Sequence, residues 1–187
     1  MTVTVRRAIT TDATGLAELA KVTFPLACPP GSAPEAIAEF VAGALSEKRF
    51  VEYLADAGRT ILVAEDAGGL CGYTMLVAGD PTDPNVAAAI TIRPTIELSK
   101  VYVLAGSHGR GVSAPLMAAT LDAAREQGAV GIWLGVNQLN TRALRFYEKS
   151  GFRLVGEKTF SLGPELHSDF VMERALENTS QSGRQVS

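Results

Sequence analysis

Residues 102–113 read YVLAGSHGRGVS and connect a strand-like segment to a helical pattern. The segment Thr95 to Leu104 is rich in Ile, Leu, Val and Tyr, which predicts a strand. Apolar residues follow at helical spacing, at Met117, Leu121 and Ala124. Gly109 and Gly111 let backbone N–H groups converge beside the helix N-terminus, which carries about half a positive charge. The stretch therefore predicts a strand–turn–helix unit that can bind an anion, best matched to a phosphate.

Other interpretations of the same glycines have to be weighed. Gly109 and Gly111 fit the first pair of the dinucleotide-binding pattern G-x-G-x-x-G, but Ala114 stands in place of its last glycine. A Walker A loop needs Gly-Lys followed by Ser or Thr, which this turn lacks. A tight turn without any ligand also fits. The spacing alone leaves phosphate binding and a structural turn both open.

The rest of the chain alternates between strand and helix patterns. Strands are predicted over Thr2–Ala8, Ile61–Glu65, Leu70–Ala78 and Val130–Val136, and near Arg153–Leu162 and Ser168–Arg174. Helices are predicted after Thr10-Thr11-Asp12, from Pro34, from Ser46 and over Asn140–Ser150. The proline-rich segments Phe24–Pro34 and Gly79–Pro94 are predicted to be loops.

Length and composition limit the class of protein. The chain has 187 residues, of which 47% are hydrophobic and 20% charged, as in a folded globular protein. We expect one domain over residues 1–176 and a polar tail over 177–187. The net charge of -3 argues against a nucleic-acid partner and is compatible with a cationic substrate. No signal peptide or membrane-length apolar stretch is visible, so we expect no membrane partner and a cytoplasmic location.

Metal and disulfide chemistry have few candidate residues. Cys28 and Cys71 are far apart in the sequence and form no Cys-x-x-Cys pair, which favours two buried thiols in a reducing compartment. His108 and His167 are the only histidines. We therefore expect no metal site.

Two motifs resemble landmarks of the GNAT superfamily of N-acetyltransferases. The run Tyr102–Ser113 resembles its acetyl-CoA pyrophosphate loop, whose usual pattern is Gln or Arg, two residues, Gly, one residue, then Gly or Ala. His108 and Ser113 depart from that pattern. The run Val136–Phe152, with Asn140 and Phe146-Tyr147-Glu148-Lys149, is similar to the second landmark. The resemblance extends from residue 2 to about 176 and implies an α/β fold with a central mixed, mostly antiparallel sheet of about seven strands flanked by helices.

The resemblance also implies a co-substrate and the residues that bind it. Acetyl-CoA would pair its pantetheine arm with the strand backbone and place its pyrophosphate in the glycine-rich turn. The residues carried over are Val101, Tyr102, Val103, His108, Gly109, Arg110, Gly111, Val112, Ser113, Ala114 and Asn140.

Acetylation of an amine needs the amine in its neutral form, and only about one part in a thousand or fewer of an alkylamine is neutral at pH 7. Glu97 lies opposite Ile96 and Leu98 by strand alternation, and the resemblance implies a role as base. A glutamate on the wet face of a strand fits the same pattern. Tyr147 lies two helical turns after Asn140, and the resemblance implies that it is the acid that protonates the leaving thiolate. A tyrosine packed in the core fits as well.

The leading functional prediction is N-acetylation of a primary amine of a small molecule by acetyl-CoA. The segment Val155 to Met172 is similar to bacterial polyamine N-acetyltransferases, so a polyamine is one candidate acceptor. Its acidic residues form a candidate acidic rim, at Glu157, Glu165 and Asp169. Acetylation of a protein N-terminus or lysine, and a non-catalytic acyl-CoA-binding sensor, are the alternatives. A homodimer is compatible with the superfamily.

Overall fold

The computed structural model describes residues 3–107 and 111–177. Seven strands form one sheet in these ranges, in the order β1-β2-β3-β4-β5-β7-β6. The strands are β1 (Thr4–Arg7), β2 (Arg59–Asp66), β3 (Gly69–Ala78), β4 (Thr95–Val103), β5 (Gly131–Asn137), β6 (Arg153–Leu162) and β7 (Glu165–Ala175). Only β4 and β5 pair in parallel. The prediction of a mixed, mostly antiparallel sheet of about seven strands is confirmed.

Helices cover both faces of the sheet. They are α1 (Ala13–Ala27), α2 (Pro34–Ala44), α3 (Glu47–Ala55), α4 (Pro84–Ala89), α5 (Ser113–Glu126) and α6 (Thr141–Lys149). One hydrophobic core joins α1, α2 and α3 to Ile61 and Val63 of β2. The other joins α5 and α6 to Leu62 and Ala64 of the same strand. Because successive strand residues point to opposite faces, the two cores lie on opposite sides of the sheet.

The β4 and β5 strands separate soon after they pair. Their register consists of Thr95 with Gly131, Ile96 with Ile132 and Glu97 with Trp133. Beyond Glu97, β4 continues to Val103 and β5 to Asn137 without further pairing between them. The divergence opens a cleft in the middle of the sheet and leaves one backbone edge of β4 without a strand partner.

A β-bulge in β4 changes which side chains share a face. Met75 pairs with Lys100, whereas the next residue of β3, Leu76, pairs with Leu98, so Ser99 is the extra residue. Val77, Met75 and Tyr73 alternate along β3, and their partners on β4 are Glu97, Lys100 and Tyr102. The bulge therefore places those three β4 side chains on one face, although simple alternation would separate Glu97 from Lys100 and Tyr102.

Two of the segments predicted as loops contain helix. Helix α1 continues through Pro25 to Ala27, so the loop predicted from Phe24 is wrong over its first four residues. Phe24 is buried and stacks on Phe40 with 4.6 Å between ring centroids, and this packing holds the last turn helical. The carbonyl that Pro25 leaves without a donor belongs to the exposed Lys21.

The predicted loop Gly79–Pro94 contains the short helix α4. Asp83 Oδ1 caps it by accepting from Asn85 N at 2.8 Å, and Pro84 is its first residue. Six residues are too few to show helical periodicity in the sequence, so only the cap and the proline could have predicted this helix.

The buried carboxylate of Glu173 holds the connection from α4 to β4. Glu173 is 0% exposed and accepts from the backbone N–H groups of Thr91 and Ile92, both at 2.8 Å. The Thr91 hydroxyl donates to it at 3.0 Å and Arg153 at 3.2 Å. These contacts join the segment before β4 to the opposite half of the sheet.

We expect Glu173→Ala to lower the free energy of unfolding by about 2–4 kcal/mol, because two backbone donors would lose their acceptor. Urea denaturation followed by circular dichroism measures this loss. Glu173→Gln should cost less, since it keeps one acceptor oxygen. Glu157→Ala, at an exposed position of β6, is the control and should change the free energy by about 0.5 kcal/mol or less. Equal stabilities of Glu173→Ala and the control would contradict the role of Glu173.

Candidate active site

Two neighbouring cavities occupy the cleft between β4 and β5. The first has a volume of about 250 Å³ and is lined by β4, the α5 N-terminus, α6 and the end of α1. The second, of about 260 Å³, extends from the same part of β4 toward β6, β7 and α2. The residues common to both are Ala27, Val101, Tyr102, Asn140, Ala143 and Tyr147. These residues mark where a molecule in one cavity would meet a molecule in the other.

Tyr147 of α6 lies at this junction. Its side chain is 8% exposed and packs against Phe152, with 5.8 Å between ring centroids. Burial raises the pKa of the Tyr147 phenol above its ordinary value, so the hydroxyl stays protonated at neutral pH. Tyr147 can therefore donate a hydrogen bond to a group bound in either cavity.

Glu97 lines the second cavity on the face opposite Ile96 and Leu98, as strand alternation predicts. Its side chain is half-buried. Burial raises the pKa of the Glu97 carboxyl above its ordinary value, and nearby Lys158 and Lys100 limit that rise. A carboxylate with a raised pKa accepts a proton more readily, as a general base requires.

Two lysines that no sequence motif singles out also line the second cavity, Lys100 and Lys158. Burial lowers the pKa of Lys100 to about 8, and its Nζ lies 5.9 Å from the centre of the Tyr53 ring. Lys158 belongs to β6, and its side chain extends along one face of the sheet, over β7, to β5. Its side chain lies over Gly135, where a Cβ would overlap the Cε of Lys158. The missing side chain of Gly135 is what lets Lys158 reach the cavity.

Asp169 is the one member of the candidate acidic rim that lines the second cavity. It is 7% exposed and accepts a hydrogen bond of 3.5 Å from Asn137. Burial raises the pKa of its carboxyl, and Lys158 acts against that rise. Glu157 is exposed on β6, and Glu165 accepts from Ala33 N at 3.1 Å. The predicted rim is therefore not assembled as a group.

An aromatic wall closes the second cavity on the side of α1 and α2. Phe40 stacks on Phe24, and its ring centroid lies 5.8 Å from that of Phe160. Cys28 lies next to this wall, and burial raises the pKa of its thiol to about 11. The thiol is therefore protonated at neutral pH and is a poor nucleophile.

The residues predicted to bind the cofactor divide into three groups. Side chains or backbone of Val101, Tyr102, Val103, Ser113 and Asn140 line the first cavity. Gly111, Val112 and Ala114 do not line it: Gly111 has φ +79° in the turn before α5, Val112 packs in the core, and Ala114 is exposed on α5. His108, Gly109 and Arg110 lie outside the described residues.

Asn140 has a structural role in addition to its position in the cleft. Its Oδ1 accepts from Ala143 N at 3.1 Å and caps α6, as its sequence position predicts. The cap begins α6 at Thr141 and so determines where Tyr147, two turns later, reaches the junction of the cavities.

Residues 3–107 and 111–177 have neither a metal-ligand cluster nor a membrane-length apolar helix. These residues contain no group of three or more His, Cys, Asp or Glu side chains placed to hold a metal ion. None of their helices is long and apolar enough to cross a membrane.

Comparison with known proteins places this architecture among acetyltransferases. The model of the acetyltransferase (GNAT) family matches residues 22–152. An uncharacterized N-acetyltransferase of Mycobacterium tuberculosis is 50% identical over 166 residues, which cover 89% of this chain and 99% of that protein.

Two solved structures share the fold at low identity. The PaiA N-acetyltransferase from Thermoplasma acidophilum in complex with coenzyme A has a TM-score of 0.75 and 19% identity, covering 94% of this chain and 99% of that one. The ribosomal-protein-S18-alanine N-acetyltransferase from Escherichia coli has a TM-score of 0.67 and 14% identity, covering 98% and 100%.

Proposed function

The chain belongs to the GNAT family of acetyltransferases, and we propose that it moves the acetyl group of acetyl-CoA to a primary amine of a small molecule. The observation that carries this proposal is the position of Tyr147 between the two cavities. A donor in the first cavity and an acceptor in the second would meet beside one protonated phenol and one carboxylate with a raised pKa, which are the groups that amine acetylation needs.

The first cavity fits the pantetheine arm of acetyl-CoA. The β4 backbone beyond Glu97 has no partner on β5, so its free N–H and C=O groups can pair with the amides of that arm. Ser113 places the N-terminus of α5 at the same cavity, where backbone N–H groups favour a phosphate. The PaiA N-acetyltransferase, which shares the fold, was crystallised in complex with coenzyme A, and this supports coenzyme A as the kind of ligand proposed. Acetyl-CoA, held there, supplies the acetyl group as a thioester.

Glu97 has the position and the proton affinity for the base. The acceptor reaches the site mainly as an ammonium ion, and Glu97 accepts its proton directly or through a water molecule. The amine nitrogen then forms a bond to the acetyl carbonyl carbon. Lys158 and Lys100 oppose the effect of burial on the Glu97 pKa and so favour its ionised form, which is the form that accepts a proton.

Tyr147 is the acid in this proposal. The C–S bond breaks as the amide forms, and the departing thiolate, with a pKa of about 8.5, accepts a proton from a nearby donor. Because burial keeps the Tyr147 hydroxyl protonated, it offers a hydrogen bond to the sulfur from the start. The phenol proton passes to the sulfur as the thiolate leaves, and the second proton that the amine nitrogen loses on becoming an amide returns to the phenol through solvent.

The size and shape of the second cavity support a small acceptor. Its volume of about 260 Å³ lies just below the usual range for ligand pockets, and the aromatic wall of Phe24, Phe40 and Phe160 lines one side of it. A small amine with an apolar body fits these limits. The polyamine acceptor, the cytoplasmic location and the homodimer stay predictions.

The assay that tests the proposal measures thiol release from acetyl-CoA with a panel of alkylamines, amino acids, polyamines and peptides. We expect release with at least one class of small amine, and mass spectrometry should find the acetylated product. Release with peptides alone would favour the protein acetyltransferase. Coenzyme A binding without release on any amine or peptide would favour the acyl-CoA-binding sensor.

Tyr147→Phe should lower kcat by about tenfold or more and change coenzyme A affinity little, because it removes a proton donor and keeps the ring packing. Steady-state kinetics and calorimetric titration measure the two effects. Tyr53→Phe is a matched control, since the Tyr53 hydroxyl donates to Ala44 O at 3.0 Å outside the cavities. An unchanged kcat in Tyr147→Phe would remove the acid role.

Glu97→Gln should displace the pH–rate profile to higher pH. In the native protein kcat/KM should fall as pH decreases through the Glu97 pKa, which burial raises above the usual range of a glutamate. Without the carboxylate, the rate should follow the neutral fraction of the amine and rise until about pH 10. Glu157→Gln, at an exposed position, is the control. Identical profiles for Glu97→Gln and the native protein would refute the base assignment.

A further inference from the structure

The charges that line the second cavity restrict the acceptor further. The cavity contains two carboxylates, Glu97 and Asp169, and two ammonium groups, Lys100 and Lys158. None of the ion pairs found among the described residues includes either lysine. Both lysines therefore line the cavity without a direct carboxylate ion-pair partner among the described residues.

Lys158 is held in the cavity by a specific feature of the sheet. In the strand order β5-β7-β6, Lys158 of β6 pairs with Asp169 of β7, and Asp169 in turn pairs with Asn137 of β5. The Lys158 side chain passes over β7 and lies on the bare backbone of Gly135 in β5. An alanine at position 135 would overlap it. Strand interiors seldom favour glycine, so this one has a clear steric function.

The charge balance of the cavity decides between classes of acceptor. Before the acceptor binds, the two carboxylates and the two ammonium groups cancel. A protonated alkylamine adds one positive charge and a protonated diamine adds two, whereas an amino carboxylate adds none. An uncompensated charge in a half-buried cavity is unfavourable because the surroundings solvate it poorly.

The net charge of the cavity still favours an anionic acceptor after the amine proton has moved to Glu97. Once Glu97 has accepted the proton of the amine, Asp169 is the only carboxylate left to offset Lys100 and Lys158. An acceptor that carries its own carboxylate restores neutrality, and an alkylamine leaves an excess positive charge. We propose, on the basis of the proposed function, that the acceptor is an amine that also carries an anionic group, a carboxylate in the simplest case, which Lys158 and Lys100 bind.

The proposal assigns a task to each charged side chain of the cavity. Glu97 receives the proton of the acceptor amine. Lys158 and Lys100 form charge-assisted hydrogen bonds with the anionic group of the acceptor. Asp169, which accepts from Asn137, stays close enough to Lys158 to offset its charge when the acceptor is absent. The aromatic wall contacts the methylene groups between amine and anion.

The test compares ω-amino carboxylates, ω-aminoalkyl phosphonates, alkylamines and α,ω-diamines of equal chain length, each at several lengths, as acceptors for the native protein. We expect kcat/KM for the best amino carboxylate or phosphonate to exceed that of the alkylamine of equal length by about tenfold or more. The ratio of kcat/KM between the amino carboxylate and the aminoalkyl phosphonate identifies which anionic group the site accommodates. The diamine should be the poorest acceptor.

Variants identify the residue responsible. Lys158→Met should lower kcat/KM for the amino carboxylate by about tenfold or more, and far more than for the alkylamine. Gly135→Ala should reduce the same preference, because it displaces the Lys158 side chain without removing any charged residue. It is the second test of the proposal if Lys158→Met does not fold. Lys48→Met removes one exposed lysine of α3 and is the control. Calorimetric titration of the amino carboxylate, in the presence of coenzyme A, should show a matching loss of affinity in Lys158→Met.

The outcomes distinguish a failure of the proposed acetyltransferase function from a failure of the anionic-acceptor proposal. Thiol release with none of the amines would overturn the proposed function. Release with the diamine equal to or better than the amino carboxylate would overturn only the assignment of an anionic acceptor. An equal loss for all acceptors in Lys158→Met, with unchanged binding of the amino carboxylate, would also overturn it and leave Lys158 a structural residue.

Discussion

The divergence of β4 from β5 is the constraint on which the site depends. Parallel pairing stops after Glu97 and Trp133, so a sheet that is otherwise continuously paired contains a cleft at its centre. Unpaired backbone groups inside a protein are unfavourable unless water or a ligand satisfies them. Here they form the wall of a cavity, and α5 and α6 follow the two diverging strands to its sides. The same geometry that weakens the sheet creates its binding site.

Charge is the second organising feature. Four ionisable side chains face a half-buried cavity of about 260 Å³, and they arrive there from three strands, β4, β6 and β7. Burial disfavours the charged forms of Glu97, Lys100 and Asp169, while the opposite charges nearby act against that effect. Burial and the neighbouring opposite charges therefore act in opposite directions on the proton affinities of these groups.

Local sequence patterns predicted the helices and strands well wherever a helix or strand was long and regular. The amphipathic helices, the alternating strands, the helix start at Ser46 and the cap at Asn140 all depend on neighbours within a few residues, and the structure confirms them. Patterns were insufficient where packing outweighed propensity. Pro25 lies inside α1 because Phe24 stacks on Phe40, a residue that sequence order places in the next helix. The short helix α4 has an N-cap at Asp83 but too few residues to show helical periodicity in the sequence.

The sequence by itself determined the family, the order of the elements apart from α4, and the candidate roles of Glu97 and Tyr147, because local patterns and motifs carry them. Only the tertiary structure decided which side chains meet. The bulge at Ser99 brings Lys100 and Tyr102 to the face of Glu97, and the bare backbone of Gly135 admits Lys158. Both depend on register between strands that lie far apart in the chain. Pairing register and the room left by a missing Cβ are properties of the assembled sheet, which no local pattern encodes.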